Sequence, residues 1–196
     1  MKTLVESLNE ALGKKYYEDI LRYFKKMIKN TISNKPVVRF FIDDGGSSSS
    51  NMLASISDTI DKLIFGMNTI FAQDKTDEKD IRWELYGFND AGVKKINSVP
   101  KSGEGGTMFF DYFLSEIKNM QPFGKEDGEI VNVIFTDFIA LENRYRPDYS
   151  KLVNLLQNVG RYNVIVVDEK ASNSQEKVLV NIEQKANNVL IVRAQY

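Results

Sequence analysis

Apolar residues occur in this chain in two arrangements: short continuous runs and stripes that recur every three or four residues. The runs predict buried strands at 37–43, 82–88, 130–138, 163–168 and 188–194. Residues 93–99 predict one further strand, paired with 82–88 as a hairpin because Asn89 to Gly92 is typical of a turn. The stripes predict helices from Leu53 to Ile70, from Thr107 onward, after Pro147 and at 176–188.

Strands and helices that alternate in this order predict an α/β fold of three Rossmann-like layers. We expect a mostly parallel six-stranded sheet with one antiparallel edge strand and helices on both faces. Residues 1–35 carry two helical stripes and predict an N-terminal helical extension, which leaves 36–196 as the α/β domain. The second helix is basic and amphipathic, and its apolar stripe is expected to pack on the domain or to join two subunits as an oligomer.

Composition removes several classes of function. The 196 residues contain no Cys and no His, which excludes disulfides, thiolate metal sites and histidine-based catalysis. The net charge of −1 argues against nucleic acid as a partner. No apolar run approaches membrane-spanning length, and binding to a membrane surface is the less favoured interpretation of the basic helix. We therefore expect a cytoplasmic protein.

Polar residues cluster where the predicted strands end. The first strand ends at Asp43, and the loop 44–50 that follows is Asp-Gly-Gly-Ser-Ser-Ser-Ser. Residues 105–107, Gly-Gly-Thr, precede another helix, and Thr136-Asp137 end another buried strand. Right-handed crossovers place these loops at one edge of the sheet. Their carboxylate and hydroxyl oxygens are the ligands of Mg²⁺ or Mn²⁺, with water completing the coordination.

This combination resembles a von Willebrand factor A (VWA) domain with its metal-ion-dependent adhesion site. That site has an Asp-x-Ser-x-Ser loop after the first strand, a Thr before a central helix and an Asp after the fourth strand. The matching positions are the Asp43 loop, Thr107 and Asp137, and the resemblance covers roughly residues 36–196. It implies a VWA fold and a cation held by Asp43, Thr107, Asp137 and two serines.

The serine positions are a departure from the family's pattern. Counting from Asp43, Gly45 occupies the first serine position and Ser47 the second. In a longer loop, Ser47 and Ser49 would be the two ligands; otherwise one direct ligand is lost and Asp44 could compensate for it. The simpler interpretation is that the Asp and Ser residues only end a strand and cap the next helix.

The resemblance implies a non-enzymatic module in which a carboxylate of a partner protein completes the coordination of the cation. The loop that follows Asp137 is expected to contact the partner through Arg144, Tyr145 and Arg146, because Arg and aromatic side chains are common in interface hot spots. One alternative is a structural or assembly protein whose metal site is no longer functional.

The other alternative is a magnesium-dependent phosphotransfer domain. A receiver would use the acidic pair with Asp90, Thr136 and Lys170, although the spacings are too long and the hairpin does not fit. A phosphatase of the haloacid dehalogenase type would require a second Asp at a spacing that this loop lacks. In the VWA family, the segment 88–90, Phe-Asn-Asp, instead fits the usual end of the second strand.

Overall fold

The computed structural model describes residues 16–26, 36–73, 81–120, 130–137, 149–169 and 173–194. The strands are β1 (Val37–Asp43), β2 (Arg82–Asn89), β3 (Gly92–Lys95), β4 (Ile130–Thr136), β5 (Tyr162–Asp168) and β6 (Val189–Ala194). The helices are α1 (16–26), α2 (Ser50–Gln73), α3 (Phe110–Asn119), α4 (Tyr149–Asn158) and α5 (Asn173–Lys185).

The six strands form one sheet in the order β3-β2-β1-β4-β5-β6. Only β3 runs antiparallel, as the hairpin partner of β2, and every other pairing is parallel. Gly92 follows the turn of the hairpin with φ of +114°, a conformation that favours glycine. The predicted six-stranded sheet with one antiparallel edge strand is therefore confirmed.

Several boundaries differ from the sequence predictions by up to four residues, and α2, for example, extends three residues beyond the predicted range at each end. Strand β3 ends at Lys95 instead of residue 99, and helix α5 begins and ends three residues before the predicted range 176–188. Helix α3 begins at Phe110 instead of Thr107. Residues 104–106, just before Thr107, are held by backbone hydrogen bonds to the loop after β1 and to Asp90, and Phe109 at the N-cap of α3 is extended.

Each face of the sheet has its own apolar core, as the three-layer prediction requires. One core lies under α1 and α2 and includes Phe40, Leu53 and Leu63. The other lies under α3, α4 and α5 and includes Phe41 and Phe113. Neighbouring residues of β1, such as Phe40 and Phe41, enter opposite cores because strand side chains alternate between faces.

Helix α1 shares its core with the sheet and α2. Ile20 and Phe24 are fully buried, and Gly66 of α2 allows a close approach, since a Cβ atom there would lie 2.6 Å from the Tyr17 hydroxyl. The apolar face of α1 is thus covered by the chain's own domain. The boundary between an extension at 1–35 and a domain at 36–196 stays a prediction.

A row of buried polar side chains crosses four adjacent strands on the α3–α4–α5 face. Glu84, Arg39, Asn132 and Asn163 are register partners on β2, β1, β4 and β5, and all are at least 96% buried. Arg39 donates to Glu84 over 3.2 Å, and Asn132 donates to the Asn163 side chain over 2.9 Å. The two asparagines also donate to backbone carbonyls at the end of α4, which no helical N–H group can reach.

The buried ion pair leads to a prediction about stability. Glu84→Gln should lower the free energy of unfolding by about 3 kcal/mol, because Arg39 would keep a buried charge without its counter-ion. The matched control is Glu183→Gln, which removes a half-exposed partner of Arg193 and should cost less than about 1 kcal/mol. Urea unfolding of both variants measures the difference, and equal losses would contradict this assignment of the pair.

Candidate metal centre at the carboxyl edge of the sheet

Asp43 ends the central strand and is 1% exposed. Its Oδ2 atom accepts a hydrogen bond from the Thr136 hydroxyl over 2.8 Å, and its Oδ1 atom accepts one from the Gly45 amide over 3.2 Å. The first bond joins the end of β1 to the end of β4, and the second turns the chain into the loop. Both carboxylate oxygens therefore have structural partners.

The serines after Asp43 have different roles. The Ser49 Oγ atom accepts a hydrogen bond from the Met52 amide over 3.2 Å, so Ser49 caps the N-terminus of α2. Ser47 is exposed. Ser48 is buried and donates to the Asp43 carbonyl over 2.7 Å. Sequence reasoning named Ser47 and Ser49 as ligands and missed the buried Ser48, because a run of four serines carries no signal that distinguishes them.

A glycine-rich loop brings Thr107 to this edge of the sheet. The Gly46 amide donates to the Gly105 carbonyl over 3.0 Å, and the Glu104 amide donates to the Asp44 carbonyl over 2.8 Å. A Cβ atom on Gly103 would lie 2.0 Å from the Gly45 carbonyl oxygen, so only glycine fits this contact. Thr107 follows directly and is half-buried.

Asp137 follows Thr136 and places a second carboxylate near Asp43. The pKa of Asp43 is raised to about 7, first because burial disfavours its charged form and second because Asp137 carries a like charge. The hydrogen bonds from Thr136 and Gly45 act in the opposite direction but do not cancel this effect. The site therefore concentrates negative charge in a buried environment.

Asp44 lies on the other side of β1 from Asp137. Its carboxylate packs over β2, where a Cβ atom on Gly87 would be 2.5 Å from the Asp44 Oδ2 atom. Burial raises the pKa of Asp44, and nearby Lys94 opposes that rise. Asp44 also acts on Asp43 as a like charge, and it is the smallest of the causes that raise the pKa of Asp43.

Asp90 lies in the turn between β2 and β3 and is exposed. Its amide donates to the Gly106 carbonyl over 3.1 Å, and a Cβ atom on Gly106 would lie 2.5 Å from the Asp90 Oδ2 atom. Asp90 thus packs against the glycine loop that leads to Thr107. Lys170 and the expected contact residues Arg144, Tyr145 and Arg146 lie outside the described residues.

The donors at this edge fit a hard cation, although the set is small. Asp43, Asp137 and Thr107 offer two carboxylates and a hydroxyl, and Mg²⁺ commonly keeps several waters when few protein ligands are present. Gly45 leaves the first serine position without a hydroxyl. Across the described parts of the chain, no group of three or more acidic side chains forms a metal cluster.

Comparisons with known proteins identify the architecture. No protein-family model matches the sequence, and no curated protein matches it. The structure is similar to the crystal structure of the SpRpn10 VWA domain, with a TM-score of 0.50 over 82% of this chain and 88% of that chain. The chain has a VWA fold. Sequence identity to that VWA domain is 12%, so the similarity concerns the fold alone.

The raised pKa of Asp43 predicts a dependence of stability on pH in metal-free buffer. Between about pH 4 and about pH 7, the folded chain keeps a proton that the unfolded chain has lost, so stability falls as pH rises through this window. Relative to Asp43→Asn, the natural chain should lose up to about 4 kcal/mol of unfolding free energy from pH 4 to pH 8. Urea unfolding in EDTA tests this, and a pH-independent difference between the two proteins would contradict it.

Proposed function

We propose that this VWA domain is a non-enzymatic protein-interaction module that binds its partner at the carboxyl edge of the sheet. In this proposal, Asp43, Thr107 and Asp137 hold Mg²⁺ or Mn²⁺, and Ser47 is the hydroxyl available to add to them. A bound cation supplies an open coordination position for a carboxylate of the partner. No helix in the described ranges is long and apolar enough to span a membrane.

The observation that carries the proposal is the pairing of two carboxylates around a buried position. Asp43 is 99% buried and lies close enough to Asp137 for the like charge to raise its pKa. Among the described residues, no basic side chain is a cause of the Asp43 shift. A divalent cation at this edge would reverse the sign of the local field and would favour the ionised form of both carboxyl groups.

Asp43 and the loop that leads to Thr107 are held by the fold itself, which favours a binding role. Thr136 and Gly45 fix the Asp43 carboxylate, and the contact between the Gly46 and Gly105 backbones fixes the loop before Thr107. Preorganised ligands lower the conformational entropy lost when a cation or partner binds. The sequence contains no His or Cys, so histidine acid–base catalysis and a cysteine nucleophile are both excluded.

Gly45 supports a second candidate, a structural VWA module that binds its partner without metal. A Cβ atom at this position would lie 3.0 Å from the Gly106 carbonyl oxygen and 3.3 Å from the Asp43 Oδ1 atom. The space around residue 45 thus accommodates glycine more easily than a serine ligand. The two candidates differ in one measurable property, the binding of a divalent cation.

Metal titration separates the two candidates. Saturable binding of Mg²⁺ or Mn²⁺ should be detected by calorimetry at pH 8, with a rise in melting temperature that grows with metal concentration. Asp43→Asn and Asp137→Asn should each weaken binding at least about tenfold, because each removes one of two negative charges.

The matched control is Asp168→Asn, which removes a carboxylate from the end of β5 at the same edge of the sheet. Its affinity for the cation should equal that of the natural chain. If the natural chain shows no saturable binding of either cation, the metal-dependent function is wrong and the structural candidate remains.

A further inference from the structure

The two edge strands of the sheet differ in how well they resist pairing with another chain. Strand β3 is four residues long and ends in the exposed Lys94 and Lys95, and short strands with lysines are a usual protection of a sheet edge. Strand β6 is six residues long and contains no Pro, Gly or Lys. Its one charged side chain, Arg193, is held by two glutamates of α5. The β6 edge therefore lacks the protection that β3 has.

The backbone of β6 has groups that point away from the sheet. The Glu169 amide donates to the Ala194 carbonyl over 2.7 Å, across the parallel β5–β6 pair. Alternate residues of such a strand turn their N–H and C=O groups to opposite sides, so Ile191 and Arg193 direct theirs outward. In the part of the chain that the structure describes, no strand lies beyond β6. These two residues thus offer a row of donors and acceptors to another strand.

A groove of about 560 Å³ runs beside this edge, between β6 and α1. Tyr23, in the second half of α1, packs against Tyr162 at the start of β5, with 6.4 Å between ring centroids. The end of α1 therefore lies toward the amino edge of the sheet. Because the groove is lined by four consecutive residues of β6, it follows the strand and suits an extended chain.

The two ends of the groove carry opposite charges. Glu169 follows β5 at the carboxyl edge of the sheet, and Lys26 is in the last turn of α1 toward the amino edge. Both side chains are exposed, and neither forms an ion pair with the residues that the structure describes. Asp19 and Arg22, which lie between them on α1, bond to each other over 2.9 Å. One acidic and one basic side chain are therefore left without counter-ions at opposite ends.

We propose that β6 pairs with β6 of a second copy of this chain, antiparallel about a two-fold axis. Ile191 and Arg193 of each copy exchange backbone hydrogen bonds with the same residues of the other copy. The antiparallel arrangement brings Glu169 of each copy toward Lys26 of the other, whereas a parallel one would bring like charges together. This self-complementary pattern is what favours a second copy as the occupant, and the closed pair leaves no free β6 edge.

The pairing would orient the candidate metal centres. In antiparallel copies, the carboxyl edge of one sheet adjoins the amino edge of the other, so the two centres face in opposite directions. A dimer would then hold two partners at once, which raises the avidity for a partner with several binding sites. That consequence rests on the proposed function, but the dimer does not, because β4 and β5 separate β6 from the strand that carries Asp43.

Sedimentation velocity of the full chain in EDTA, from about 1 μM to about 300 μM, tests the pairing. The mass should reach twice the 22.4 kDa of one chain at the upper end of this range. The Ile191 and Arg193 amides should exchange hydrogen slowly in the dimer. A chain that stays monomeric overturns the proposal, and slow exchange of these amides in the monomer would show that another segment of the same chain covers the edge.

Arg193→Pro, with Arg193→Ala as its matched control, tests whether β6 is the contact. Both substitutions remove the ion pairs with α5, but only Pro removes the outward N–H group. Pro is tolerated on the outer side of an edge strand. Arg193→Pro should weaken the dimer at least about tenfold, because one hydrogen bond is lost from each copy, and Arg193→Ala should bind nearly as well as the natural chain. Equal dissociation constants of the two variants would contradict pairing through β6.

Charge substitutions test the arrangement and leave the strand intact. Lys26→Glu and Glu169→Lys should each weaken the dimer at least about threefold, because each places like charges opposite one another twice per dimer. The two substitutions together should restore the affinity of the natural chain. Lys25→Glu is the matched control, since Lys25 is exposed on α1 outside the groove, and it should leave the affinity unchanged. A combined variant as weak as the single ones would show that the antiparallel arrangement is wrong.

Discussion

The complete burial of the central strand β1 is the constraint on which the rest of this structure depends. The strand has parallel neighbours on both edges and helices over both faces, so all seven of its side chains are buried. Two of the seven, Arg39 and Asp43, are ionisable. A charge that cannot reach water has to be compensated by nearby groups, and the two ends of the strand do this in different ways.

Toward the amino end, the charge of Arg39 is compensated by a residue of the fold itself. Arg39 pairs with Glu84, and the row continues through asparagines that satisfy the carbonyls at the end of α4. The row links four strands at a single register, because a slip of one residue would move each polar side chain to the opposite face. At the carboxyl end, Asp43 receives hydrogen bonds but faces a second carboxylate from the neighbouring strand end.

Much of the fold follows from the hydrophobic pattern because buried parallel strands are short continuous runs and the helices between them carry apolar stripes. Asp43, Thr107 and Asp137 could be placed at one edge because crossover handedness decides where strand ends lie. The functions of individual serines could not be predicted, since they depend on loop backbone contacts such as that between Gly46 and Gly105. The exposure of Phe109 could not be predicted from the sequence either, because every residue of the segment 108–113 except Asp111 is apolar or aromatic.

The hydrogen bonds around Asp43 explain why an Asp is present there but not why a second one is near. A carboxylate accepts from both Thr136 and Gly45, one bond on each oxygen, whereas an Asn side chain has a single acceptor oxygen. The fold therefore has a reason to keep Asp43. Burial raises the pKa of Asp43 most, and the like charge of Asp137 raises it further, so the ionised pair is unfavourable at neutral pH. A divalent cation at this edge would offset that repulsion, which is the arrangement that the proposed metal-dependent function requires.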